Sequence, residues 1–238
     1  VNTSQGITGA SPTIKHTHEG LRKFSGKERP ILFSPAMAQA VHQGRKSQTR
    51  RTMKPQPVMS TLTDRLHLWA TETKEITCPF GKSKDRLWVR EAWLPARHGS
   101  YDPIERGDRS YDLRSRWVCS ISYRAEYPYG NDDYDGHWRP GIHMFRWMSR
   151  ILTEITEVRA ERLRDISEAD AIAEGVSMDE KGWFFVQGLV RHGWLLRFRT
   201  ARECFFSLWE SINGAESLAA NPWLWAISFR KLGATEVG

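Results

Sequence analysis

ILFSPAMAQAVHQGRKSQTRR, residues 31–51, sets the first strand, the first helix and the basic segment from which the rest of the chain is read. Ile31-Leu32-Phe33 is a short apolar run that predicts a strand. Ser34 stands where a helix N-cap is needed, and Pro35 takes the first helical position, where a missing N–H costs nothing. Met37, Ala40 and Val41 form one apolar face, and Gly44 stops the helix. The chain then runs extended through Arg45-Lys46-Ser47-Gln48-Thr49-Arg50-Arg51.

Working outward, strand patterns recur at 86–91, 118–125, 151–158 and 223–229. Leu87 and Val89 share one face, as do Cys119, Ile121 and Tyr123. Ile151 to Val158 is rich in β-branched residues, and Trp223, Trp225, Ile227 and Phe229 make an aromatic face. With the run at 31–33, these strands are expected to join one curved sheet. Ser167 caps a helix through Glu174, stopped by Gly175. Thr200 and Glu203 form a capping box for a helix through Ile212, whose stripe of Cys204, Leu208 and Ile212 is expected to face the core. Residues 94–140, rich in Gly, Pro, Asp and Tyr, read as a loop-rich insertion around one strand pair. Several strands with three short helices make the chain α+β.

In 238 residues, 35 Lys and Arg face 28 Asp and Glu, a net +7 that favours polyanionic partners. Eleven Trp serve either an aromatic core or stacking on flat rings. Cys78, Cys119 and Cys204 are odd in number and far apart, which supports neither a disulfide framework nor a zinc site. That usage suits a reducing compartment, so a cytoplasmic protein is expected. No apolar run reaches membrane-spanning length, and no membrane partner is expected. Residues 1–28 read as a flexible polar leader before a single domain at 29–238.

Gly44-Arg45-Lys46-Ser47-Gln48-Thr49-Arg50-Arg51, followed by Lys54-Pro55-Gln56-Pro57, resembles the signature of ASCH-domain proteins, particularly those of phages and prophages. Cys78-Pro79-Phe80-Gly81, Asp85 to Glu91, Tyr123-Arg124-Ala125, Trp138-Arg139-Pro140, Ile142-His143-Met144 and Arg146-Trp147 continue the likeness. Asp165 to Asp170, Trp209 to Gly214 and Asn221-Pro222-Trp223 close it. The pattern departs at Lys84, where a Gly is usual, and at Gly141 and Phe145, where Ser and Pro are usual. The resemblance implies a PUA-like β-barrel with flanking short helices and a cleft for RNA or a nucleobase. Some small ASCH proteins resemble amidohydrolases that remove the acyl group of N4-acylcytidine with a Lys, a Thr three residues on and a Glu at a helix end. Lys46, Thr49 and Glu174 fit that set as catalytic residues, with no metal or cofactor. Other relatives are assigned ribonuclease activity.

Without the family, the same residues admit two readings. Amide hydrolysis needs an activated nucleophile and a proton donor to the departing amine, and a Lys can act as base only if burial lowers its pKa. Otherwise Arg45, Lys46, Arg50 and Arg51 are a solvated or phosphate-binding strip, and Thr49 is an ordinary strand residue. Glu174 lies in the last turn of its helix, where the dipole disfavours an anion and a cationic partner is wanted. Arg45, Arg50, Arg51, Lys54 and Arg90 are expected to form a positive rim beside the cleft. Tyr123, Arg124, His143, Arg146 and Trp147, with Trp88, are further candidates for nucleic-acid contact, and Trp88, Trp138 and Trp147 are the candidates for stacking. Partners are then RNA, single-stranded nucleic acid or a modified nucleoside. An enzyme, a base-binding module without chemistry, a ribonuclease and a purely structural phage protein all remain open.

Overall fold

The computed structural model describes residues 24–57, 69–71, 74–96, 120–127 and 138–233. In chain order its elements are β1 (Glu28–Leu32), α1 (Pro35–His42), β2 (Gln48–Thr52), β3 (Trp69–Thr71), β4 (Lys74–Glu75), β5 (Arg86–Arg90), β6 (Trp93–Ala96) and β7 (Ser120–Tyr123). There follow β8 (Leu152–Arg162), α2 (Glu168–Ala173), β9 (Ser177–Met178), β10 (Phe184–Phe185), β11 (Val190–Arg191), β12 (Trp194–Leu195), α3 (Ala201–Asn213), α4 (Ala215–Ala220) and β13 (Trp223–Lys231). Residues 1–23 of the expected leader and most of the 94–140 insertion, Cys119 included, lie outside the described residues.

Five strands form one mixed sheet in the order β1-β5-β8-β13-β2, with β1 and β5 parallel and the other pairs antiparallel. The fold is α+β. β13 is its spine because both of its faces are apolar. Trp223, Trp225, Ile227 and Phe229 pack on one side with Phe33, Val41 and Ile155. Leu224, on the opposite face, packs against Phe205 and Trp209 of α3. A register shift at Ser228/Phe229 skips Thr156 of β8, a bulge that bends the ladder. The bend brings the edges together: Arg51 on β2 donates to the Leu32 carbonyl of β1 at 2.6 Å. That bridge is a side chain. No ladder joins β1 to β2, so the closed barrel expected from the sequence is not formed.

The other expectations need two corrections. The strand expected at 118–125 does not enter the main sheet: Ser120–Tyr123 pairs with Trp93–Ala96 in a separate hairpin, and Arg124–Glu126 is a 3₁₀ turn. Its place in the sheet is taken by β2. In α3 the core stripe is Ala201, Cys204, Phe205 and Trp209, whereas Ile212 is exposed. The expected caps are present. Ser34 accepts from Met37 N–H, Ser167 from Asp170 N–H, and Thr200 and Glu203 form the reciprocal box. Among the described residues no helix is long and apolar enough to cross a membrane.

Asp85 fastens the start of β5 to the chain entering β1. Its carboxylate accepts from Lys27 N–H at 2.8 Å, Arg29 Nη1 at 2.8 Å and Lys82 N–H at 3.2 Å. Burial alone would raise this carboxyl, but the three donors outweigh it and hold its pKa below the ordinary aspartate value. Asp85→Asn is expected to cost about 1.5–3 kcal/mol at neutral pH. The stability is present above the unfolded-state pKa and is lost as pH falls through the folded one. Urea titrations of the two proteins therefore converge in acid, and a gap independent of pH would remove this account. Lys84, the departure from the ASCH pattern, has φ +73°. A left-handed Lys costs about 1–2 kcal/mol, against about 0.5–1 kcal/mol of chain entropy for Gly. Lys84→Gly is thus expected to hold or raise stability by up to about 1 kcal/mol; a clear loss in the same titration would contradict the strain.

Candidate functional site

α2 ends with its last carbonyls lacking intrahelical donors and with the negative end of its dipole exposed. The segment after α1 answers that need. Ser47 N–H donates to Ala173 O at 2.9 Å, and Lys46 Nζ donates to the Glu174 carbonyl at 2.7 Å and to its carboxylate at 2.6 Å. Gly175 makes the turn that follows: its φ of +103° is a conformation that L side chains rarely adopt. Lys46 is 3% exposed. Burial draws its pKa below the ordinary lysine value; Glu174 restores part of this, and Arg51 and Arg50 depress it further.

Arg50 completes the network. Its guanidinium lies against Glu161 (2.7 Å from Nε, 2.6 Å from Nη2), Glu174 (3.2 Å) and Asp170 (3.3 Å), and donates to the Gln48 side-chain oxygen. The Nη2 contacts are ion pairs and not aligned hydrogen bonds, since that nitrogen has no partner of good geometry. Gln48 Nε2 in turn donates to Asp170 at 3.0 Å and Ser228 Oγ at 3.1 Å. Arg159 adds a third cation beside Glu161 and Asp170. The charges balance, which is the condition for leaving them out of water.

This network forms part of the floor of a cleft of about 400 Å³ along the free edge of β2. Thr49, Arg50, Arg51, Thr52 and Lys54 line one side. Glu174, Phe205, Trp209, Trp225, Met37 and Phe80 complete the lining. Met53 N–H donates to Trp223 O, and Phe229 N–H donates to Ser47 O. The odd residues of β2 therefore bond β13, and the backbone N–H and C=O of Arg50 and Thr52 point to the open edge. Among the described residues no strand pairs with that edge. The cleft thus combines aromatic walls, a row of backbone donors and acceptors, and a carboxylate held by two cations.

The structure brings Lys46 to Glu174, and both Glu174 and Thr49 line the cleft. Both Lys46 side-chain hydrogen bonds go to Glu174, and Lys46 Nζ lies 5.7 Å from the centre of the Phe33 ring that Arg51 also covers. Of the expected rim, Lys54 is exposed at the cleft. Arg51 stacks on Phe33 and Phe80 there. Arg45 is exposed and donates to Gln43 and Ser177. Arg50 is not a rim residue, because its side chain is inaccessible and neutralised. Arg90 is also elsewhere. It donates to the carbonyls of Gly141 and Ile142 and lines a second concavity with Arg139 and His143.

Arg146 pairs with Glu28 at 2.7 Å, and Arg150 with Glu91 and Glu126, so neither is a free phosphate contact. Tyr123 donates to Met148 O and carries Arg150 on its ring; Arg124 lies over Trp138. Trp88 and Trp138 are half-buried and Trp147 is exposed, so none of the three stacking candidates belongs to the buried core. The cleft walls from Phe205, Leu208, Trp209 and Ile212 were missed as site residues. The only sequence signal was that Leu208 and Ile212 continue an apolar stripe past the length the core can cover.

Among the described residues no group of three His, Cys, Asp or Glu is placed to hold a metal ion. No family model, no curated protein and no solved structure matches the chain.

Removing Arg50 leaves three carboxylates, Glu161, Asp170 and Glu174, facing only the two cations Lys46 and Arg159. Arg50→Ala is expected to cost about 3–5 kcal/mol in chemical denaturation. A substitution as mild as that of a surface arginine would show that the network is solvated after all.

Proposed function

We propose that this chain is an ASCH-type protein of the PUA-like superfamily that holds a nucleobase in the β2 cleft and hydrolyses the acyl amide of N4-acylcytidine. The observation that carries this reading is the buried Lys46–Glu174 pair, which reaches the cleft through Glu174. The curled sheet, with Arg51 reaching across its open seam to Leu32, supports the PUA-like assignment. The aromatic walls suit the faces of a base, and the backbone groups of Arg50 and Thr52 suit its polar edge.

The chemistry follows from which group faces the cleft. A water beside Thr49 attacks the acyl carbonyl and gives up a proton to Glu174. The proton moves across the 2.6 Å contact to Lys46, which acts in the fraction of molecules where it is the neutral amine. As the C–N bond breaks, Lys46 returns the proton through Glu174 to the exocyclic nitrogen, releasing cytidine and the carboxylate acid. Burial lowers the pKa of Lys46, which enlarges that neutral fraction at a given pH relative to an ordinary lysine.

A base-binding module without chemistry is the second reading. It is favoured by the engagement of both Lys46 side-chain hydrogen bonds by Glu174. A ribonuclease has less support, because His143 lies in the second concavity.

The test is release of cytidine from N4-acetylcytidine by the purified chain. Lys46→Ala is expected to slow it by about 10²–10⁴-fold with the fold retained by circular dichroism. Lys46→Arg is expected to fail too, because guanidinium keeps its proton. The wild-type rate is expected to rise with pH along a limb lying below the ordinary lysine range. No release by the wild type would leave the binding module, and full activity in Lys46→Ala would move the chemistry elsewhere.

A further inference from the structure

Residues 181–202 contain Lys181, Arg191, Arg197, Arg199 and Arg202 and no Asp or Glu. Their centre is the β11–β12 hairpin, in which Val190 pairs with Leu195 and Arg191 with Trp194. His192 (φ +51°) and Gly193 (φ +81°) make a two-residue turn with both angles positive, the geometry that matches strand twist and gives a firm hairpin. Trp194 at its tip is 79% exposed, more than any other large hydrophobic described. Val190 beside it is exposed as well.

The hairpin has no packing reason to present an indole to water. Its root is fixed elsewhere. Leu196 N–H bonds Leu189 O, Phe198 and Phe184 exchange backbone hydrogen bonds, and both phenylalanines pack on the cluster containing Phe205 and Trp209. A Cβ built at Gly188 would stand 3.9 Å from that of Ala36, the neighbour of Met37 on α1. Phe205, Trp209 and Met37 all line the cleft, so the hairpin rises from the walls of the cleft. Of the cations, Arg197 is paired with Asp179 at 3.1 Å, and Arg202 donates to the Arg164 carbonyl. Arg199 lies 3.9 Å over the Trp183 ring. Arg191 forms no ion pair among the described residues.

We infer that this hairpin is a clamp for a single-stranded polynucleotide, with Trp194 stacking on a base and Arg191 and Arg199 meeting phosphates. Flat rings alternating with anions are the ligand that uses an exposed indole and unneutralised arginines together. The inference rests on the nucleobase reading of the cleft and narrows it: the target base is presented within a strand, and the hairpin holds the nucleotides flanking it.

The experiment measures fluorescence anisotropy of a labelled 12-nucleotide oligouridylate on the full chain, alongside release of cytidine from free N4-acetylcytidine. Trp194→Ala is expected to weaken oligonucleotide binding by roughly 5- to 150-fold, and Trp194→Phe to restore most of it. Arg191→Gln should flatten the salt dependence by about 0.7 in log–log slope. The free nucleoside does not reach the hairpin, so its hydrolysis should keep its rate in Trp194→Ala. Oligonucleotide binding unchanged by Trp194→Ala overturns the clamp. So does preferential binding of phosphatidylserine vesicles, or a parallel loss of melting temperature and nucleoside hydrolysis. If the wild type releases no cytidine but binds the oligonucleotide through Trp194, the clamp stands and the catalytic reading falls.

Discussion

An ammonium group almost wholly removed from water needs a partner, and in this chain that need organises the structure. Lys46 satisfies it with the carbonyl and carboxylate of a single residue, Glu174, at the end of α2. The same contacts cap a helix, fix the path between α1 and β2, and orient a carboxylate toward a cleft. Because Arg50 shares that carboxylate, the helix end and the edge strand become one electrostatic unit. Such a unit is weak as a source of net stability and strong as a constraint on geometry, since removing either sign strands the other in a low-dielectric site.

A second constraint acts through the sheet. β13 is apolar on both faces and must be covered twice, once by the cluster around Phe33 and Ile155 and once by α3. The bulge opposite Ser228 lets the ladder curl around the first of these. Curling brings β1 and β2 within reach of an arginine side chain but leaves the outer edge of β2 without a strand. Open edges invite pairing with another chain and are usually protected. Here the edge lies in a cleft lined by Phe80, Phe205, Trp209 and Trp225, where its polar groups can meet a ligand.

The net charge of +7 does not spread evenly over this surface. Arg29, Arg50, Arg146, Arg150 and Arg159 are all engaged by carboxylates. Arg51 and Arg90 donate to backbone carbonyls while lying on rings. Among the described residues, basic side chains without an ion pair include Lys54 and Arg191 of the β11–β12 hairpin. A count of basic residues along the chain overstates the field at the motif 45–51 and understates it at 181–202.

By itself the sequence determined what depends on neighbours in the chain. Helix starts at Ser34, Ser167 and Thr200 were legible because a cap needs only an oxygen two or three residues ahead of its N–H. The apolar alternation of Arg86–Arg90 and Trp223–Phe229 marked strands because pleating has period two. The pairing of Glu174 with a cation was legible from its place at a helix end, and Lys46 was nameable through the ASCH likeness. Tertiary structure alone decided what depends on contacts between segments well separated in the chain. It placed Arg50 inside a carboxylate cage and not on a rim. It sent Ser120–Tyr123 to a separate hairpin and gave β2 the sheet edge. It turned Leu208 and Ile212 from core stripe to cleft wall. Burial and charge neutralisation are properties of three-dimensional neighbours, and composition along the chain gives the charges without saying which of them water still reaches.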